Sequence, residues 1–336
     1  MNQFSKVLKT IMGGSNTKPS LDSMLASFDR ELDNFQTLVK PDSRSRPRTA
    51  FDSPHLTFDD MYMSKLTLRQ ILSFLPVMLP LRMRMIQSAR MYDGKFQPEH
   101  SSASPEFLTA LEKMAFSAGV ADIRYVRVPR NTIFAHKGIP YEYAVIFTVE
   151  MDKNRFSKAP SFDAFLEVAR GYGNLARIGN KLARFMRHNG FAAYPGTALG
   201  GITDYSQLGE IAGLGAIGYH GLLITPNQGA HLRINTIYTN ITNLPIQTEN
   251  KHIWVREFCS MCKKCIRGCP VQAIFEQPRV NEDGGIQCIE HGACRDYFNQ
   301  NYGCAVCLAN CPFSEMGYEK VKVRFKGNPK APQFHI

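Results

Sequence analysis

The sequence predicts a mixed helix-and-strand fold of the α/β or α+β class, with a smaller cysteine-rich unit after it. Three observations carry this. Over residues 105–240, segments with helical apolar spacing alternate with short β-branched runs. The composition is that of an ordinary globular protein, 44% apolar and 21% charged, over 336 residues, which is room for two domains. All nine cysteines fall between Cys259 and Cys311, and none occurs in the first 258 residues.

The elements follow in chain order. The first forty residues read as a partly ordered arm. Residues 43–54 and 94–104 read as linkers, because Pro, Ser, Gly and Asp collect there. Residues 66–87 read as an amphipathic or broken helix. Its apolar run 71–81 (ILSFLPVMLPL) holds two prolines and is too short for a membrane span of ~20 residues. Neither a secretory stretch nor a twin arginine stands at the N-terminus, so the expected location is the cytosol. Ser104-Pro105-Glu106 is a helix start, with Ser as N-cap and Pro in the first turn. Phe107, Leu108, Leu111, Met114 and Ala115 continue it, and Gly119 ends it. Residues 123–128 and 141–149 read as strands, the second buried. Residues 160–187 form a long helical stretch with Leu175, Ile178, Leu182, Phe185 and Met186 on one stripe, interrupted by Gly171 and Gly173 around Tyr172. A helix is expected over 206–212, and strands over 221–225 and 232–238. The expected division is an arm and helical region (1–104), a first domain (105–250), a second domain (251–320) and a tail (321–336).

The net charge is +11, from 40 Lys and Arg against 29 Asp and Glu. Basic residues are spread through the chain, with short clusters at 44–48 (RSRPR) and 82–84. A solvated face explains them; an acidic electron-donor protein, an anionic lipid surface or a nucleic acid would also use them.

The cysteines decide the chemistry. The first run is Cys259-x2-Cys262-x2-Cys265-x3-Cys269-Pro270, and the second is Cys304-x2-Cys307-x3-Cys311-Pro312. Zinc ribbons use two separated pairs. Three cysteines at two-residue gaps and a fourth before proline fit the two-cluster ferredoxin pattern, in which the fourth ligates the other cluster. The expected sets are therefore Cys259, Cys262, Cys265 and Cys311 for one 4Fe–4S cluster. The other takes Cys269, Cys304, Cys307 and one more. Cys294 and Cys288 compete for that place, and Cys294 is preferred for its position ten residues before Cys304. Such a unit needs only about sixty residues, so the preceding region has another task.

Gly213-Leu-Gly215-Ala-Ile-Gly218 matches the dinucleotide pattern, but a helix rather than a strand precedes it, and Tyr238-Thr239-Asn240 stands where an acid belongs. The glycines instead let backbone pass close to a large flat ligand or to another chain segment.

The stretch 210–226 (EIAGLGAIGYHGLLITP), then Gly229 and Arg233, then Phe258-Cys259 and both cysteine runs, resembles the reductive dehalogenases and the related epoxyqueuosine reductases. Val149-Glu150-Met151-Asp152 and Ala159-Pro160-Ser161 are similar to the dehalogenase pattern too. The resemblance spans residues 106–313. It implies an α+β, nitroreductase-like domain holding a base-off cobalamin, with a ferredoxin-like domain packed on it. Gly213, Gly215, Gly218, Thr225 and Gly229 would then line the corrinoid. Tyr172, in Ala169-Arg170-Gly171-Tyr172, matches the family's proton donor, and Arg233 its partner arginine. A free tyrosine has a pKa near ~10, and a nearby cation makes its proton easier to give up.

The activity so implied is reductive dehalogenation of an organohalide. Electrons would come from reduced ferredoxin or flavodoxin through the two clusters to cobalt. The alternatives are deoxygenation of a tRNA nucleoside, as in epoxyqueuosine reductases, and a non-catalytic electron-transfer protein. Two departures from the dehalogenase pattern stand out: an asparagine or lysine would fall near Thr197 or Ala198, and Tyr219 replaces an arginine; Asp204 is the nearest match to the epoxyqueuosine-branch acid. His220 and His231 flank the glycine-rich segment; each could line the ligand, and the favoured reading is a satisfied core or surface histidine. Trp254 reads as a shield for the first cysteine run.

Overall fold

The computed structural model describes residues 35, 37–48, 62–93 and 96–326. Most of the expected arm, the 49–54 part of the first linker and the tail beyond 326 lie outside the described residues.

Helix α1 (Leu68–Asp93) runs unbroken through Pro76 and Pro80. Each proline removes one backbone bond, but Ile71, Phe74, Leu81, Met85 and Ala89 are buried on one side, and Ser88 Oγ donates to Asn180 Oδ1 at 2.8 Å. Residues 96–104 are tethered rather than free: Glu99 N–H donates to Gly190 O, and Thr242 N–H to Ser101 O. Helix α2 (Pro105–Ser117) starts as expected, with Ser104 Oγ accepting from Phe107 N–H at 3.2 Å.

Strands β1 (Asp122–Arg127) and β2 (Tyr143–Glu150) lead through a short helix α3 (Lys153–Phe156) to the long helix α4 (Phe162–His188). Next come β3 (Ala193–Pro195), α5 (Tyr205–Ile211), the short strands β4 (Ala216–Ile217) and β5 (Leu223–Ile224), and β6 (Leu232–Thr239). The main sheet has order β1-β2-β6-β3, and every pairing is antiparallel. The observed class is therefore α+β. Strand β2 is buried on both faces. Val145, Phe147 and Val149 meet α2 and α4 in one core, and Ala144 and Ile146 meet Ile133, Ile139 and Leu208 in another, as strand alternation requires.

Helix α4 is continuous, so Gly171 and Gly173 do not interrupt it. They serve close packing instead. A Cβ at Gly171 would stand 3.0 Å from Arg233 Cγ and 3.3 Å from Met151 Cγ, and one at Gly179 3.4 Å from Asn235. The small residues let the helix lie on the sheet at the point where Arg233 emerges.

The C-terminal part holds α6 (Trp254–Cys262), α7 (Lys264–Arg267), the hairpin β7 (Ile274–Val280) and β8 (Ile286–Ile289), then α8 (His291–Gln300), α9 (Val306–Ala309), α10 (Pro312–Glu315) and α11 (Tyr318–Lys326). Its core joins Trp254, Val255, Phe313, Tyr318 and Phe325 to Cys259 and Cys311, with Ala216 and Ile224 packed on them. Helix α11 thus continues past the expected boundary at 320. Among the described residues, no helix is long and apolar enough to cross a membrane.

The basic cluster at 44–48 is a solvated face only at Arg44, which is exposed and pairs with Asp42. Arg46 pairs with Asp204 and lies 3.6 Å from Asp283. Arg48 is buried and donates to Gly200 O at 3.1 Å. Arg84 likewise turns inward, to Gly173 O at 3.1 Å. Buried carbonyls and carboxylates take these cations because they need partners.

Candidate functional site

Two groups of thiols form in the C-terminal part. Cys259, Cys262, Cys265 and Cys311 line one cavity, together with His220, Phe258, Lys263, Pro312 and Phe313. Burial pushes Cys265 up to about 11 and Cys311 up to about 12, and neighbouring thiols add to both. The second group is visible in mutual influence. Cys307 is raised by burial, then by Cys304, Cys265, Cys294 and Cys269. Burial pushes Cys294 up to about 11, with Cys304 and Cys269 adding. Cys288 lies under the β4–β5 hairpin, its Sγ 3.5 Å from Gly218 O, and is raised by burial and by Cys265 rather than by Cys294 or Cys304. Crowded, buried thiols resist ionisation unless positive charge arrives. Backbone N–H groups already face several of the sulfurs: Tyr219 faces Cys259, and Ala273 donates to Cys269 Sγ at 3.3 Å.

Among the described residues, no three His, Cys, Asp or Glu side chains stand close enough to hold a single metal ion. Thiols spread around a cavity suit a cluster of several atoms instead, and such clusters take four thiolates each. The donor set therefore fits iron–sulfur clusters.

The glycine-rich segment is built from a helix end and a hairpin, not from the strand-to-helix turn that a dinucleotide needs. Asp204 caps α5, its Oδ1 accepting from Gln207 N–H at 3.1 Å, so it is occupied structurally. Gly213 has φ +72° just past that helix. A Cβ at Gly215 would overlap the Ile224 carbonyl, one at Gly229 the Phe313 carbonyl, and one at Gly218 would crowd the Ile224 side chain and His220. Thr225 is fully buried and donates to Gln228 Oε1 at 2.9 Å, which Thr148 also reaches at 3.0 Å. Gln228 in turn donates to Asp122 Oδ2 at 3.0 Å. The chain itself meets these five positions. Glu210 ties the segment to the cysteines: it accepts from Ile217 N–H at 2.7 Å and pairs with Arg256 of α6.

Tyr172 and Arg233 are brought together. The Arg233 guanidinium lies over the Tyr172 ring, 5.0 Å from its centroid. Strand register sets Arg233 opposite Val149 on β2. Its Nη1 donates to Leu232 O at 3.0 Å, while its Nε is buried without a partner. Tyr172 packs beside Leu81, Met85 and Leu199. Tyr62 is a neighbour that sequence reasoning missed. Burial, then Tyr172, raises its phenol, and its ring lies 5.3 Å from that of Tyr302, two residues before Cys304. Nothing local in the sequence marks Tyr62, since only folding brings it across.

The two histidines are not fully satisfied. His220 Nδ1 accepts from Leu222 N–H at 3.2 Å, but its Nε2 is buried without a partner, and burial pushes its pKa down to about 4. His231 Nε2 meets Glu150 Oε1 at 3.1 Å, and its Nδ1 is unpartnered. Trp254 lies in the core shared with Cys259 and donates to Tyr318 Oη at 2.9 Å.

An antiparallel sheet under a long helix, with two groups of cysteines beside it, defines a mixed α+β architecture with a cysteine-rich C-terminal part. Comparison with known proteins narrows it. The chain is similar to a tetrachloroethene reductive dehalogenase of Sulfurospirillum multivorans, 31% identical over 183 residues, which is 52% of this chain and 36% of that protein. It is also similar to an epoxyqueuosine reductase of Synechocystis, 30% identical over 118 residues, 32% of this chain and 38% of that one. Both relatives are oxidoreductases by name. The fold matches a catabolic reductive dehalogenase solved with 3-bromo-4-hydroxybenzoic acid, at a TM-score of 0.62 and 19% identity over 74% of this chain and 40% of that one. The chain thus spans little more than a third of the length of these relatives. No protein-family model matches it.

Proposed function

We propose that this chain is a cobalamin- and iron–sulfur-dependent reductase that removes halogen from an organohalide. The observation that carries this reading is the pairing of Tyr172 with Arg233 in a chain whose cysteines gather into two groups of four. The sequence likeness to dehalogenases supports it. Residues 105–250 would be the nitroreductase-like, corrinoid-binding domain, and residues 251–320 the ferredoxin-like one.

Cys259, Cys262, Cys265 and Cys311 would hold one 4Fe–4S cluster, and Cys269, Cys294, Cys304 and Cys307 the other. When bound, the clusters and a corrinoid would supply the electrons for carbon–halogen cleavage. The unpartnered Nε of Arg233 beside a half-buried tyrosine fits a site completed by such a ligand and its substrate. Tyr172 donates the proton that replaces the halogen. The Arg233 cation over its ring stabilises the phenolate left behind, and it offers a buried N–H to the departing anion. Gly213, Gly215, Gly218, Thr225 and Gly229 shape the wall of the corrinoid site through the packing they allow. The electron donor is a reduced ferredoxin or flavodoxin, the site of action the cytosol, and a brominated or chlorinated phenol the first substrate to try.

The test is anaerobic purification with cobalamin supplied, then iron, cobalt and halide-release assays. About eight irons, one cobalt per chain and release of bromide support the reading. Eight irons without cobalt would sink it and leave an electron-transfer protein.

A further inference from the structure

The hairpin β4–β5 carries a feature that the proposed reaction does not use. Ala216 pairs with Ile224 and Ile217 with Leu223. Gly218 N–H donates to Leu222 O at 3.1 Å, and Gly221 N–H to Gly218 O at 2.8 Å. Gly221 has φ +81°, the left-handed residue that closes a three-residue hairpin loop. That loop is Tyr219-His220-Gly221, and it sits on the cysteines. The Tyr219 N–H faces the Cys259 sulfur, and Gly221 packs against Cys288, where a Cβ would stand 3.4 Å from the Cys288 Cβ.

His220 is 4% exposed and lines the cavity of Cys259, Cys262, Cys265 and Cys311. Its Nδ1 accepts the Leu222 N–H, so that nitrogen carries no proton. In a neutral imidazole the proton then sits on Nε2. Nε2 is the buried, unpartnered atom. A buried N–H without an acceptor costs free energy, so a native structure supplies one. Phe258, Pro312 and Phe313 present apolar surface to this cavity. The acceptors that its donor set implies are sulfurs: thiolates, and the sulfides of a bound cluster.

We propose that His220 donates an Nε2–H···S hydrogen bond to the cluster held by Cys259, Cys262, Cys265 and Cys311, and so sets its reduction potential. This rests on the reading that the cavity holds a 4Fe–4S cluster. Hydrogen bonds to cluster and thiolate sulfur stabilise the more negative, reduced state and raise the potential. The hairpin's role is then electronic as well as structural: its turn fixes the tautomer, and its tip aims the donor.

The test uses the full chain with its clusters in place, titrated redox-wise under electron paramagnetic resonance. His220→Phe keeps a ring and removes the donor. One midpoint should fall, so that the ratio of reduced to oxidised cluster at a fixed potential drops about tenfold, which is about 59 mV for one electron. The other midpoint should stay. His220→Gln restores an N–H and should recover most of the shift. Equal shifts in the Phe and Gln variants, or none in either, overturn the proposal. Should the variants lose iron, wild-type protein labelled with 15N-histidine decides. An exchangeable proton and a histidine nitrogen coupled to the reduced cluster support it, and their absence overturns it. Wild-type protein that binds no iron overturns the cluster reading itself, and this inference with it.

Discussion

The sheet region and the cysteine region are held together by different physics. In the first, Leu111, Val145, Phe147, Leu175, Ile178, Leu182 and Ile237 are all buried to the last few per cent around α4. Burying each such side chain is worth about 1.5–3 kcal/mol, so this part has a core of its own. In the second, helices of four to ten residues wrap thiols that are buried yet unfavourable as thiolates. No residue of α8 is fully buried. Its apolar cluster is the face around Trp254 and Phe313. One region brings a packed frame to the site, and the other would be completed by the clusters proposed for it.

Removing iron should break this contrast most visibly. Under a chelator and reductant, residues 264–310 should become protease-sensitive while residues 105–244 stay protected; equal cleavage in both regions would refute the division of labour. Cys304→Ala should do the same locally, leaving about four of about eight irons, whereas Cys288→Ala should keep them all. The Cys294→Ala variant should behave like the first of these, because Cys294 shares its surroundings with Cys304 and Cys269.

Next in size is Tyr172→Phe. Losing a positioned proton donor typically costs 10²- to 10⁴-fold, so turnover should fall by about that much with iron content unchanged. Turnover within a few-fold of wild type would remove Tyr172 from the chemistry. Gly215→Ala should then cost about 2–4 kcal/mol in a denaturant titration, because its Cβ would overlap the backbone carbonyl of Ile224. The smallest effect is in the sheet region. Ser104→Ala removes the α2 cap and should cost about 1 kcal/mol, with no change in iron or in either cluster potential.

Much of the frame was legible because it is local. Ser104 and Pro105 announce a helix start, and the α4 stripe repeats at 3.6 residues. The run 141–149 is too apolar to be anything but a central strand. The continuity of α4 through Gly171 and Gly173 was not legible, because a glycine that breaks a helix and one that admits a neighbour look alike in one dimension. The inward turn of Arg46 and Arg48 was hidden for the same reason: their partners Asp204 and Gly200 lie more than 150 residues away.

By itself, the sequence marked the candidate residues for the chemistry of this protein. Cysteine spacing is a property of the chain, and seven thiols in two such runs point to the proposed clusters before any fold is known. Tertiary structure alone decided who stands next to whom. It put Arg233 over Tyr172, separated Cys288 from Cys294, and placed the tip of a hairpin so that one histidine lines the cavity of four thiols. Ligand identity is written in residue type and local spacing. Orientation, burial and the state of a proton depend on contacts made across the whole chain, and those exist only once it has folded.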